Sequence, residues 1–140
     1  MADPFSFELV SPERLVLSAH VTEAVVPGVN GEVTVLAGHA PFMTTLRPGI
    51  VTVVDSAGKH RRFYVRGGLA DAGPAGLTIL ADKALPAGDV KGEAAAAEIA
   101  AAEAAVAKAV DDVARAHAAQ HLADLRLAVA AASAVAATTH

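Results

Sequence analysis

Pro27-Gly28-Val29-Asn30-Gly31-Glu32-Val33-Thr34-Val35-Leu36-Ala37-Gly38-His39-Ala40-Pro41 is the stretch that decides the fold. Asn30-Gly31 predicts a tight turn, because both residues tolerate positive φ. Residues 33–36 read as a strand. They lead into a fixed corner, Gly38-His39-Ala40-Pro41, where Pro41 presses Ala40 towards extended geometry and offers no donor of its own. His39 is therefore placed by backbone restriction and not by a helix face. Its plain reading is a loop side chain satisfied by neighbouring carbonyls.

The same grammar of short strands and turns extends in both directions. Towards the N-terminus, Phe5-Ser6-Phe7-Glu8-Leu9 alternates apolar and polar, which marks a strand with one buried face. Ser11-Pro12-Glu13-Arg14 reads as a turn. Residues 15–17 and 21–26 read as two short strands, the second closed by Pro27-Gly28. Towards the C-terminus, residues 42–46 are short and apolar, and Arg47-Pro48-Gly49 suits a type II turn. Ile50-Val51-Thr52-Val53-Val54 is nearly all β-branched, which predicts burial on both faces. Asp55-Ser56-Ala57-Gly58 reads as a hairpin loop into residues 59–66, Gly67-Gly68 breaks the pattern, and residues 77–81 form the last strand. Eight to ten short strands at close intervals indicate an all-β sandwich or barrel.

Beyond Asp82 the language changes. Ala84-Leu85-Pro86-Ala87-Gly88-Asp89 is a joint, with Asp89 a candidate helix N-cap. More than half of residues 94–119 are alanine, the best intrinsic helix former, and no proline or glycine follows Gly92. At 100° per residue, Ile99, Val106, Val110 and Val113 form one stripe and Leu122, Leu125 and Val129 another, rotated from the first by roughly 120° on a single straight helix. Two helices meeting at Asp111-Asp112, an N-cap and acidic first turn, let both stripes face one seam. Glu93, Glu98, Glu103 and Lys108 recur every five residues and wind around the first helix. Alanine contacts bury little area, so the hairpin is expected to dock softly and to be able to detach.

Composition narrows the function classes. The 140 residues carry a net charge of −4 and the chain has a pI near 5.8, which argues against nucleic acid and against a polybasic membrane anchor. There is no cysteine, so neither a disulfide framework nor a thiolate zinc site is available. Met1-Ala2-Asp3-Pro4 has no signal-peptide character, and no apolar run approaches the ~20 residues of a membrane span. His117 and His121 have the spacing of a chelating pair on a helix, yet a third ligand is missing, with Asp124 the nearby carboxylate. His39 and His60 lack a nucleophile to serve. There is no Gly-x-Ser-x-Gly elbow and no phosphate loop. Lys59-His60-Arg61-Arg62 reads as the solvated face of a hairpin, or as a basic contact patch. None of this is an enzyme by itself. An interaction adaptor with a β-domain for one partner and a helical arm for another is one reading, and a metal-dependent hydrolase using the scattered histidines is a weaker one.

Pro27-Gly28, Gly31-Glu32, Leu36 and Gly38-His39-Ala40-Pro41, then Leu46, Pro48-Gly49, Gly67-Gly68 and Leu80-Ala81-Asp82-Lys83-Ala84, closely resemble the epsilon subunits of bacterial rotary F-type ATP synthases. The resemblance runs along the whole chain and is strongest over residues 5–85. It implies a β-sandwich at 1–85, a linker at 86–89 and a regulatory alanine-rich antiparallel helical hairpin at 90–140. The function it implies is that of a non-catalytic rotor subunit linking the gamma subunit to the membrane ring of c subunits. Glu32 matches the position facing that ring, with His39, Ala40 and Pro41 at a neighbouring corner and Pro27, Gly28 and Gly31 shaping the turn. The implied site is the cytoplasmic face of the bacterial inner membrane. The mitochondrial counterpart would carry a transit peptide, and Met1 opens no such segment.

The family's hairpin switches between a compact state on the sandwich and an extended state in which its cations oppose hydrolysis at the catalytic head of alpha and beta subunits. Here those cations are Lys108, Arg115 and Arg126. From Asp89 onward four basic residues face seven acidic ones, a balance of −3, so inhibition is expected to be weak or absent. Some members bind ATP through an Ile/Leu-Asp-x-x-Arg-Ala motif. The matching stretch, Val90-Lys91-Gly92-Glu93-Ala94-Ala95, has Lys91 for the aspartate and Ala94 for the arginine, so no useful nucleotide site is expected. No cofactor or metal is implied.

Overall fold

In the computed structural model, residues 3–89 and 92–138 are described. Nine strands come first: β1 Phe5–Val10, β2 Leu15–Gly28, β3 Gly31–Leu36, β4 Phe42–Leu46, β5 Gly49–Asp55, β6 His60–Val65, β7 Gly68–Gly73, β8 Gly76–Ala81 and β9 Ala84–Pro86. A 3-10 turn at Ala87–Asp89 leads to α1 Gly92–Ala107 and α2 Asp112–Thr138.

The two short runs read at 15–17 and 21–26 are one 14-residue strand. Ser18, Ala19 and His20 do not interrupt it because they pair with Glu8, Phe7 and Ser6 of β1. A register shift between Val21 and Glu23 then lets the second half of β2 pair with β5 and β3. β2 thus joins two leaves. The front leaf continues from β2 through β1, β8, β7 and β4, and the back leaf holds β3, β2, β5, β6 and β9. Phe7, Leu9, Val21, Val26, Val35, Val51, Val53, Leu77 and Ile79 are buried between them.

Glycine chemistry departs from expectation at two turns. The β2–β3 loop is Val29-Asn30, since Gly28 pairs with Gly31 inside the ladder. Gly31 takes φ +127° and Asn30 stays negative, so the glycine alone supplies the left-handed residue. At 47–49, Gly49 has no positive φ and the turn is not type II. Gly49 is small for a different reason: a Cβ there would lie 2.6 Å from the Pro27 Cβ. The strand β7, opened by Gly68, was hidden by the reading of Gly67-Gly68 as a break.

The break between the helices is where the acidic pair predicts it. Asp111 caps α2, its carboxylate accepting from the Ala114 N–H at 2.7 Å. The first stripe does not survive: Val110 and Val113 are 91% and 82% exposed, because they flank the tip and not the seam. The second does, with Leu122, Leu125 and Val129 packing beside Ile99, Ala102 and Ala128 on Tyr64, Ile50 and Leu85. The hairpin therefore covers the outer face of the back leaf. Whether Asp89 acts as a cap falls on Val90 and Lys91, outside the described residues.

Candidate functional site

The stretch 27–41 does not form one site. At about 3.3 Å per residue, β3 sets Glu32 and His39 roughly 15 Å apart, at opposite ends of the sandwich. Glu32 is exposed and borders a hollow lined by Pro27, Arg47 and Pro48 and by Asp124 and Leu127 of α2. Buried Pro27 and Gly28 carry the turn, and Gly31 closes it. His39 lies at the other end, against the starts of β1 and β4. Its Nδ1–H donates to the Leu36 carbonyl at 2.8 Å, which fixes the tautomer, as a carbonyl can only accept. The ring meets Phe5 and Phe42 edge-on at 5.8 and 6.5 Å. Nε2 is buried with no partner among the described residues. Ala40 and Pro41 are exposed beside it. Two short sequence neighbours at one corner are thus two ends of one strand.

A surface not singled out in the sequence lies on the front leaf. Leu15 pairs with Val10, Val10 with Leu80, Leu80 with Leu69 and Leu69 with Thr45, giving one transverse row across five strands. Leu15 and Leu80 are about half exposed, at 53% and 51%, and Met43 on β4 is 63% exposed. The signal was present in the alternation. Leu77, Ile79 and Ala81 point inward, so Leu80 occupies a position where a strand with one wet face carries a polar residue.

The second unforeseen cluster joins the two modules. Glu98 of α1 accepts from the Tyr64 hydroxyl at 2.9 Å, the Lys83 ammonium at 2.9 Å and the Arg66 guanidinium at 3.3 Å. Burial pushes the Glu98 carboxyl up. The hydrogen bonds from Lys83 and Tyr64, with the charges of Lys83 and Arg66, outweigh burial and hold it below its ordinary value. Burial first, and then the hydrogen bond to Glu98 and its charge, push the Tyr64 hydroxyl well above its usual range, against the opposing charge of Arg66. Docking is thus firmer than the alanine content predicts.

Two of the three hairpin cations are engaged at home. Arg126 pairs with Glu103 at 2.9 Å and Arg115 with Asp112 at 3.2 Å, while Lys108 sits exposed at the tip. The altered nucleotide stretch spans Lys91, which is outside the described residues, and Ala94 in the first turn of α1. His117, His121 and Asp124 line a cavity of about 580 Å³ with Arg47 and Asp82. Among the described residues no group of three or more His, Cys, Asp or Glu is placed to hold a metal ion. Lys59, His60 and Arg61 are exposed at the start of β6.

Comparison with known proteins finds the chain similar to one family. Residues 4–87 fit the model for the beta-sandwich domain of the ATP synthase delta/epsilon chain. The ATP synthase epsilon chain of Mesorhizobium japonicum is 50% identical over 125 residues, covering 89% of this chain and 93% of that one. The epsilon chain of Parvibaculum lavamentivorans is 46% identical over 129 residues, covering 90% and 98%. That of Sinorhizobium fredii is 60% identical over 85 residues, covering 61% of this chain and 63% of the relative. In fold, a chain of the Euglena gracilis mitochondrial ATP synthase matches with a TM-score of 0.72 at 24% identity, covering 92% of this chain and 81% of its own. A chain of the Tetrahymena thermophila central stalk and c-ring assembly matches with a TM-score of 0.64 at 13% identity, covering 96% and 98%. With a sandwich that fits the family over 84 residues, 4 to 87, and a relative half identical from strand to hairpin, the chain belongs to the ATP synthase delta/epsilon family.

Proposed function

We propose that the row Leu15, Val10, Leu80 and Leu69 on the front leaf seats the gamma subunit of the rotor. As an epsilon-chain relative the protein is a non-catalytic stalk subunit of an ATP synthase, and the complex is what catalyses. The observation that carries the docking reading is the asymmetry of the two outer faces. The hairpin covers the back leaf, whereas the front leaf presents apolar side chains in register. Leu15 and Leu80 stay about half exposed, although Leu69 and Leu80 share a cavity with His117 and His121 of α2. His39, Ala40 and Pro41 offer a separate partner contact at the far end of the front leaf, beside Phe5 and Phe42. Glu32, with the turn built by Pro27, Gly28 and Gly31, offers an exposed carboxylate at the opposite end, suited to the polar loops of the c-ring. On this reading residues 1–85 are the docking unit, 86–89 the joint and 90–140 the arm. The protein then works at the cytoplasmic face of the bacterial inner membrane as a peripheral subunit. No helix among the described residues is long and apolar enough to cross a bilayer.

Capture on immobilised gamma tests the assignment. Leu80→Glu puts a charge at the centre of the row without touching the core, and should weaken capture by about tenfold or more. Undiminished capture by this variant would remove the front leaf from the interface.

The arm's regulatory role is weak on this reading, since its acidic residues outnumber its cations, and Arg115 and Arg126 each lie beside a carboxylate of the hairpin. Deleting the residues after Gly88 should therefore leave the ATPase rate of the assembled complex within about twofold of normal, because an arm with a balance of −3 from Asp89 onward is poorly suited to an acidic partner surface. A large rise in hydrolysis would show the arm to be a strong inhibitor.

A further inference from the structure

α1 has little apolar surface with which to hold the sandwich. Among the described residues its share of the second cluster is Ile99 and Ala102, and its direct polar bond to the sandwich runs through Glu98. The three donors that meet Glu98 all belong to the sandwich side. Tyr64 lies on β6, Arg66 follows it, and Lys83 sits between β8 and β9. The Arg66 N–H donates to the Lys83 carbonyl at 3.0 Å, so the backbone fixes the two cations side by side. Two like charges so placed repel, and a carboxylate between them converts that repulsion into attraction. Glu98 is the most enclosed of the three charges, its side chain 15% exposed against 41% for Arg66 and 42% for Lys83. A cavity of about 550 Å³ lies beside the cluster, lined by Ala101, Ala105, His121 and Leu125. The cations already face solvent in part, so water completes their solvation once the carboxylate leaves.

We propose that Glu98 is the latch of the helical arm: the Tyr64–Arg66–Lys83 cradle is a carboxylate receptor built into the sandwich, and its occupation by Glu98 selects the docked pose. Apolar burial at Leu125 and Ala128 brings the arm to the back leaf, and the latch fixes its register. Ile99 and Ala102 of α1 pack with Leu122, Leu125 and Ala128 of α2, so opening the latch frees both helices as one body. Docking by a latch of this kind is salt-sensitive, unlike docking by apolar burial, which salt leaves intact or strengthens. The assignment rests on contacts within this chain and does not depend on which partner occupies the front leaf.

The chain contains no cysteine, so a single pair of labels can be placed at will. Spin labels on Ser18→Cys and Ala104→Cys, both exposed positions, report the distance between sandwich and arm in the full chain. Glu98→Gln should shift the docked-to-released ratio towards release by about tenfold, with helicity unchanged because α1 remains an alanine helix. In the unsubstituted chain, raising salt to about 1 M should release the arm in part, and in Glu98→Gln salt should have no further releasing effect. Lys83→Ala, which leaves the helices untouched, should reproduce the release in smaller measure. A Glu98→Gln distance distribution identical to that of the parent would overturn the latch, and so would equal salt sensitivity in the two proteins.

Discussion

Gly68→Ala is expected to lower the melting temperature of the sandwich by roughly 15 °C or more, a loss on the order of 3 kcal/mol for a domain of this size. Two costs act together. Gly68 has φ +133°, a region closed to residues with a side chain. A Cβ at that position would also run into the Leu80 carbonyl oxygen and lie 2.8 Å from the Ala81 Cα. Neither obstacle can move, because both belong to the backbone of β8, and Gly68 pairs there with Ala81. The front leaf must part between β7 and β8, or the glycine's φ must change and take the end of β7 with it. Thermal unfolding followed by strand circular dichroism measures the effect. A shift of only a few degrees would show that the β7–β8 junction yields more easily than its packing implies.

Leu125→Ala should detach the arm while leaving the sandwich intact. Leu125 is 1% exposed, and it is the largest aliphatic side chain of the second cluster to be fully buried. Truncating a buried leucine typically costs roughly 2–4 kcal/mol, the transfer term plus the cavity. The arm has few other apolar anchors, so that loss is comparable to everything else that holds it. Tyr64 is the only tyrosine and there is no tryptophan, so tyrosine emission reports directly on the covered back leaf. The expected result is an emission change at constant strand circular dichroism and an unchanged melting point for the sandwich. An unchanged emission would place the arm's hold elsewhere.

These two residues also mark how far the sequence could be read. Leu122, Leu125 and Val129 were legible because large side chains at helical spacing have one reading in an alanine background. Val110 and Val113 misled, because counting at 100° carries a stripe through residues 108–111 as though the helix continued, while Asp111 starts a new one. The sandwich was legible from alternation and turn residues. β7 was less so: Gly68-Leu69-Ala70-Asp71-Ala72-Gly73 has small inward residues that carry little strand signal. The latch was illegible for a topological reason. Glu98 meets residues 34, 32 and 15 positions away, and a charge count along one helix says nothing about what faces it. The same gap between sequence distance and space, in reverse, made Glu32 and His39 look like one corner. An extended strand carries neighbours in sequence far apart.

The parallel pairing of β1 with β8 joins Ser6 to Gly76 and Val10 to Leu80, partners seventy positions apart (6 to 76). A chain emerging from the ribosome can pair its first strand with its second at once, but the other edge of that first strand stays open until the eighth has been made. Closing so long a loop costs entropy before any contact repays it, which puts the sandwich among slow, all-or-none folders. The helices need only their own neighbours and form in about a microsecond. During synthesis the arm is thus made last and is helical almost at once. The cradle that receives it exists only after β9 has paired with β6 and brought Lys83 beside Arg66, and so the order of assembly is written into the topology.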